Sequence, residues 1–333
     1  MEIIKIIAVV CTLVGTCIAG YKFFWKAPSE KEIKQAEDKP ETIATRLVAL
    51  FESHGVHRNQ IPEFFGHGLD IPTCASDEKL LEKITPEIIH DAVVLFGVNK
   101  DWLEGSSKEI YDIPDFYKHP EEFEQYLVEL LKNTSKDKLF AYALTSASTL
   151  NKKLMNDDND YDSLFVIAES IGEINQREIY KYHLLGQWGI RYWKSRAYFT
   201  ACCALLYKHG ISVAGKVVER HWMNDIYAGH KLLDYDFTGQ CGGVNLPTVG
   251  MWIVTDFVEI PDKYLEGMDT EQEKAIPLAI GKWLDLNEKG YMRCFPEDKA
   301  FHAGVEDQFR KKLKTLDFPD GQVGPGMSTK NNT

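Results

Sequence analysis

Cysteine, positive charge and phosphate-binding glycine patterns are all scarce in this chain, and each shortage removes a class of function. Seven cysteines in 333 residues (Cys11, Cys17, Cys74, Cys202, Cys203, Cys241 and Cys294) form no Cys-x-x-Cys and stand at no paired-histidine spacing, so a structural zinc site lacks its ligands. An odd number, with two in the apolar N-terminus, is not a disulfide framework and fits reduced thiols. Lysine and arginine total 38 against 50 aspartates and glutamates, a formal net charge of −12. That balance excludes broad, non-specific nucleic-acid binding, which needs a basic face. Gly239, Cys241, Gly242 and Gly243 lack the Lys-Ser/Thr of a P-loop, and Gly215-Lys216 lacks the preceding glycine.

The rest of the composition is that of a globular protein. Hydrophobic residues make up 44% and charged ones 26%, enough apolar surface for sizeable cores, and the length suits about two to three domains.

One apolar run opens the chain. Residues 3–25 would reach roughly 34 Å as a helix, against a hydrocarbon core of about 30 Å. Tyr21, Phe23, Phe24 and Trp25 close it like an interfacial aromatic belt, and Lys22, Lys26, Lys31 and Lys34 follow. By the positive-inside rule this reads as a single-pass transmembrane anchor over 1–25, with the N-terminus out and the bulk cytoplasmic. The expected location is then the inner (cytoplasmic) membrane, with the membrane a partner through residues 3–25. A cleaved secretory signal peptide, ending near the small residues 17–20 and leaving a secreted protein, is the alternative. Residues 26–41 are polar, without an apolar face, and read as a linker.

From Thr42 short helices alternate with turns. Ile43, Leu47, Leu50 and Phe51 recur at helical spacing; Gly55 stops that helix; Thr85 and Pro86 begin another as N-cap and first helical residue. The stretch ends Leu95, Phe96, Gly97, Val98, Asn99, Lys100, Asp101, Trp102, Leu103, Glu104, Gly105.

In its Gly-Val turn and Trp-Leu-x-Gly ending, this stretch resembles the phage-repressor-like (Xre-type) helix-turn-helix domain. The resemblance covers residues 42–105 and implies a small all-α domain whose recognition helix lies in the major groove. Where that helix belongs, Pro72 interrupts residues 69–78, which are otherwise acidic or small. Arg46, Arg58, Lys79, Lys83 and Lys100 face ten acidic residues within 42–105, the wrong sign for a duplex. His57, Arg58, Asn59 and Gln60 are the candidate DNA contacts; as a plain solvated helix start they need no ligand.

The remaining residues carry a fold pattern without a declared chemistry. Residues 121–132 and 136–154 read as amphipathic helices, within a helical connector over 108–160. Residues 156–160 are an acidic turn lacking the Gly and distal Glu of a calcium loop. Period-two stretches at 165–174 and 178–185 read as paired strands, 193–209 as a helix apolar on most sides, and 211–218 as a strand. A helix over 219–233, a strand over 249–260, and helices over 277–287 and 300–316 follow. The tail 317–333 reads as disordered. The expected fold class is α+β overall: an N-terminal transmembrane helix, a helix-turn-helix-like domain over 42–107, and a mixed α+β domain over 161–316.

No catalytic, cofactor or metal residue is assigned. His221 and Asp225 share a helix face, but His230 is out of phase with them. Cys202 and Cys203, with His183 or His209 as base, sit on an apolar helix and read as core thiols. Trp188, Tyr192, Trp193 and Arg196 are the candidates for stacking a ligand ring. The functional expectation is a membrane-anchored regulatory or protein-interaction protein with an unidentified protein partner and no cofactor. One alternative is a tethered DNA-binding regulator. The other is an enzyme, which would require a pocket joining His183, His221 or Asp225 to a partner that spacing does not reveal.

Overall fold

The computed structural model describes residues 41–146, 163–236, 243–269 and 274–317. All the elements below lie in the unit Ile43–Thr333. It opens with α1 (Ile43–Ser53), a 3₁₀ turn at Arg58–Gln60, and α2 (Ile61–Phe64), α3 (Ile71–Cys74), α4 (Asp77–Leu81), α5 (Pro86–Phe96) and α6 (Lys100–Glu104). The local chemistry explains these bounds. Thr85 Oγ1 accepts the Ile88 N–H at 3.3 Å, Pro86 occupies the first turn of α5, and Gly97 ends it in the left-handed region at φ 69°.

Then come α7 (Pro120–Asn133), β1 (Leu139–Ser146), β2 (Ser163–Ile174), β3 (Arg177–Trp188), α8 (Trp193–Lys208) and β4 (Ser212–Val218). The chain continues through α9 (Arg220–Tyr227), β5 (Thr248–Trp252), α10 (Val254–Glu259), α11 (Pro261–Leu265), α12 (Ala275–Glu288) and α13 (Lys299–Asp317). The strands form one mixed sheet in the order β3-β2-β1-β4-β5. Strands β1 and β4 run parallel, with Ala143 opposite Gly215, and every other neighbouring pair is antiparallel.

Alternation along the strands sends side chains to two cores. Tyr142, Leu144, Val166, Tyr182 and Leu184 meet the α1–α6 layer and α9 on one face. Ala141, Ala143, Phe165, Ile167 and Leu185 meet α7, α8 and α10 on the other. Behind α8 a third core joins Ala197 and Ala201 to Tyr264, Trp283 and Phe309, with the Trp283 and Phe309 rings stacked at 3.7 Å. Helix α8 is thus covered on both sides, which is why it shows no polar stripe. The first core also unites residues from 44 to 103 with the sheet, so helices α1–α6 and the strands share one interior.

Several expectations are corrected. Among the described residues no helix is long and apolar enough to cross a membrane. That removes the transmembrane, single-pass element from the fold class, leaving α+β with a five-stranded mixed sheet; residues 3–25 themselves lie outside the described residues. Within the helix expected over 136–154, residues 139–146 instead form β1, because a central strand buried on both faces has an unbroken apolar run with no period of its own; residues 147–154 lie outside the described residues. The strand expected over 249–260 stops at Trp252, and α10 follows. The acidic turn at 156–160 and the tail from 318 onward lie outside the described residues, as does most of the glycine-rich stretch 239–243.

One glycine is fixed by close approach. A Cβ at Gly215 would lie 2.4 Å from the Trp252 carbonyl oxygen and 2.6 Å from its ring. Gly215→Ala should therefore push β5 off β4 and lower stability by about 2 kcal/mol, a typical overpacking cost. Urea unfolding checks this, and an unchanged midpoint would show that β5 yields freely.

Candidate active site

The antiparallel pairing of β2 with β3 places Ile167 opposite His183 and Glu169 opposite Lys181. Tyr182 and Leu184 enter the first core, so Lys181 and His183 project from the opposite face. Glu169 then lies diagonally across from His183, a separation that cross-strand side chains can bridge. His183 Nε2 stands 2.9 Å from Glu169 Oε2, and His183 Nδ1 stands 2.8 Å from the Tyr126 hydroxyl. Tyr126 arrives from α7, whose Phe123 and Leu127 are buried in the second core and set the rotation of that helix. Thr134, just past α7, donates its hydroxyl to the other Glu169 oxygen.

Donor and acceptor capacity fixes the order of this chain. An ionised carboxylate only accepts, so Nε2 of His183 carries the proton that it donates to Glu169. Nδ1 is left as an acceptor, and the Tyr126 O–H donates to it. Glu169 is held below the usual carboxylate range, first by the hydrogen bond from His183 and also by Thr134, with partial burial opposing them. The Tyr126 phenol is pushed up to about 12, chiefly by burial and then by the negative charge of Glu169. The carboxylate and the phenol are thereby held ionised and neutral, respectively, at neutral pH.

Tyr126, Lys181 and His183 line an open cleft of about 540 Å³ that also takes in Gly97, Tyr111 and Asp112. The cleft lies along β3, the strand at one end of the sheet order. Lys181 reaches across Gly97, where a Cβ would come within 2.8 Å of its Cε, and donates to the Val94 carbonyl at 3.2 Å. The ammonium therefore caps the C-terminal end of α5 while lining the same cleft as His183.

The residues singled out in the sequence are placed differently. Arg58 is ion-paired with Asp77, and Arg58 and Asp77 side chains are only 26% and 31% exposed. His57 caps the 3₁₀ turn: its Nδ1 accepts the Asn59 N–H at 3.3 Å, while Gln60 Oε1 accepts the His57 N–H at 3.0 Å. His57, Asn59 and Gln60 thus form a local capping box. Trp188 lies in the second core against Phe165, Phe199 and Phe123, and Arg196 is fully buried. Tyr192 and Trp193 sit ring to ring at 5.6 Å nearer the surface, so the expected stacking set does not converge on a ligand site.

Other candidates also separate. His221 is 75% exposed and paired with Glu219, and Asp225 and His230 are exposed. Cys202 and Cys203 are buried, and burial holds both thiols well above their ordinary range, which makes them inert. His209 is committed to Glu124 at 3.0 Å, alongside Lys208 at 2.7 Å. Among the described residues, His119, Glu121 and Glu122 bring ligand atoms within 4.8 Å of one another, all exposed at the start of α7. Acids are favoured there by the helix dipole alone.

Sequence reasoning noticed His183 as a base for cysteine but missed Glu169 and Tyr126. The available signal was two polar residues interrupting the inward-facing positions of adjacent period-two strands. No family model, curated protein or solved structure matches the chain.

Proposed function

We propose that the cleft beside β3 is the active site of a group-transfer enzyme in which His183 is the general base and Tyr126 the hydroxyl it activates. The observation that carries this reading is the continuous hydrogen-bonded chain from Tyr126 through His183 to Glu169, with Tyr126 and His183 on the wall of a solvent-connected cleft. Its roles are those of a nucleophile, base and orienter. As the Tyr126 oxygen attacks an acyl, phosphoryl or sulfonyl centre, its proton passes to His183 Nδ1. Glu169 stabilises the resulting imidazolium, and Nδ1–H then protonates the departing group. Lys181 supplies positive charge on the same wall for a developing anion.

The enzyme reading replaces the regulatory one because it supplies the convergence that reading lacked. The α1–α6 layer is then a degenerate helix-turn-helix-like fold used to cover the sheet. Its Arg58, engaged with Asp77, is poorly placed to meet phosphate.

An electrophile that needs no substrate pocket of its own tests the proposal. The full chain is treated at neutral pH with an aryl sulfonyl fluoride, and the modified tyrosines are located by peptide mass spectrometry. The S–F bond breaks, the Tyr126 O–S bond forms, and the phenolic proton goes to His183. Tyr126 should react at least about tenfold faster than the more exposed Tyr192, equivalent to roughly 1.4 kcal/mol of activation. The reaction should be lost in both His183→Gln and Glu169→Gln. The second variant tests tautomer control, since an amide can donate to Nε2 and drive the imidazole proton to Nδ1. Equal labelling of Tyr126 and Tyr192, or unchanged labelling in either variant, would sink the assignment.

A further inference from the structure

Thr145 presents a polar group that the fold leaves unanswered. It lies in β1 between Ser163 of β2 and Val217 of β4, is 1% exposed, and its hydroxyl has no hydrogen-bond partner among the described residues. Buried hydroxyls are ordinarily paired, and valine would fill the same volume without the desolvation penalty. Thr145 is among the residues lining a cavity of about 290 Å³, and the rest of the wall explains what would answer its hydroxyl.

Five apolar side chains form most of that wall: Ile190, Met251, Trp252, Ile253 and Phe257. The Trp252 and Phe257 rings stand edge to face at 5.2 Å and 63°, an arrangement that aromatic pairs favour. Met251 and Ile253 are 70% and 64% exposed, an apolar rim that solvent alone would not favour. Met251 is also an adaptable side chain for closing over a bound molecule. Among the charged residues of the lining, Lys263 is paired with Glu266 at 3.0 Å and Asp256 adds a further negative charge, so an anionic ligand is disfavoured.

We infer that this cavity binds a small, neutral, monocyclic aromatic molecule bearing a carbonyl, whose oxygen accepts the Thr145 O–H while its ring packs on Trp252 and Phe257. The size agrees. At about 30 Å³ for a water molecule's share of liquid volume, the cavity has the space of roughly ten waters, enough for one small ring with a substituent. The site is separate in lining from the cleft at His183, so its occupancy does not depend on the chemistry proposed there.

Benzamide is the probe and toluene its hydrocarbon control, each titrated into the full chain with ¹³C-methyl-labelled methionine. The Met251 methyl resonance, assigned through Met251→Leu, reports binding. Benzamide should shift it saturably and toluene more weakly. Thr145→Val should weaken benzamide about tenfold, leave toluene unchanged, and raise or preserve the urea midpoint, because the variant removes an unpaired buried hydroxyl. Ile253→Trp, a rim substitution that fills the opening, should abolish both responses and guards against misfolding of the Thr145 variant. No saturable Met251 shift with benzamide, equal benzamide affinity in Thr145→Val, or retained binding in Ile253→Trp would each overturn the inference.

Discussion

Replacing Arg196 by methionine should lower the unfolding free energy by about 4 kcal/mol, the scale expected when a buried, hydrogen-bonded ionic group is removed and its partners stay behind. The side chain is fully buried in the first turns of α8. Its Nε donates to the Ile190 carbonyl at 2.6 Å, and Nη1 donates to the carbonyls of Tyr264 at 2.5 Å and Glu266 at 3.0 Å. The guanidinium also lies 5.3 Å from the Phe257 ring centroid. Methionine keeps most of the volume, so the loss reads the hydrogen bonds rather than a cavity. Three carbonyls lose charge-assisted donors worth about 1.5–3 kcal/mol each before compensation. Part of that is offset because a cation no longer has to be desolvated. Lysine should recover only a fraction, since an ammonium on a flexible stem cannot reproduce the planar fork. Urea unfolding of the full chain measures both variants. A loss under about 1 kcal/mol for Arg196→Met would mean that water replaces the guanidinium and that this corner is not closed.

The same residue shows where the sequence stops being legible. Arg196 among Trp188, Tyr192 and Trp193 has the composition of a ring-stacking surface, and no periodicity distinguishes that from a core in which an arginine satisfies backbone carbonyls. The deciding facts are contacts of high sequence separation, from Arg196 to Tyr264 and Glu266. Local patterns did carry much of the sheet. Strands β2 and β3 alternate, and the turn between them uses Asn175 and Gln176 at φ 51° and 62°, a left-handed pair that suits a tight hairpin. Strand β1 was lost to helix because both its faces are buried. At the candidate site, Glu169, His183 and Tyr126 lie on three different elements. His183 meets Glu169 only through the hairpin register, and Tyr126 only through the docking of α7, neither of which is a property of local sequence.

Lowering the pH should loosen the contact between the helical layer and the sheet through a single imidazole. His54 is fully buried, with its ring 4.3 Å from Phe96 of α5 and 5.2 Å from Tyr182 of β3. Its Nδ1 donates to the Leu50 carbonyl at 2.8 Å, and Nε2 has no partner among the described residues. Burial lowers its pKa from 6.5 to about 4, and the Leu50 hydrogen bond only partly opposes this. The neutral ring is therefore the folded form. Above pH 6.5 neither the folded nor the unfolded chain binds a proton here, and the residue adds no pH dependence. As pH falls from 6.5 toward 4, the unfolded chain gains the proton and the folded chain does not, so stability drops by about 1.4 kcal/mol per unit and about 3 kcal/mol over the window. Carboxylates held low, such as Glu169 and Glu124, also withdraw stability in acid. Their effect begins as pH falls through the unfolded carboxylate range, which makes pH 7 to 5 the cleaner interval. Across it His54 alone should account for about 2 kcal/mol. His54→Phe, which keeps a flat ring between Phe96 and Tyr182, should flatten the urea-derived stability profile by that amount relative to the unmodified chain. Parallel profiles would instead mean that the folded protein admits the proton, and with it water, between α1 and the sheet.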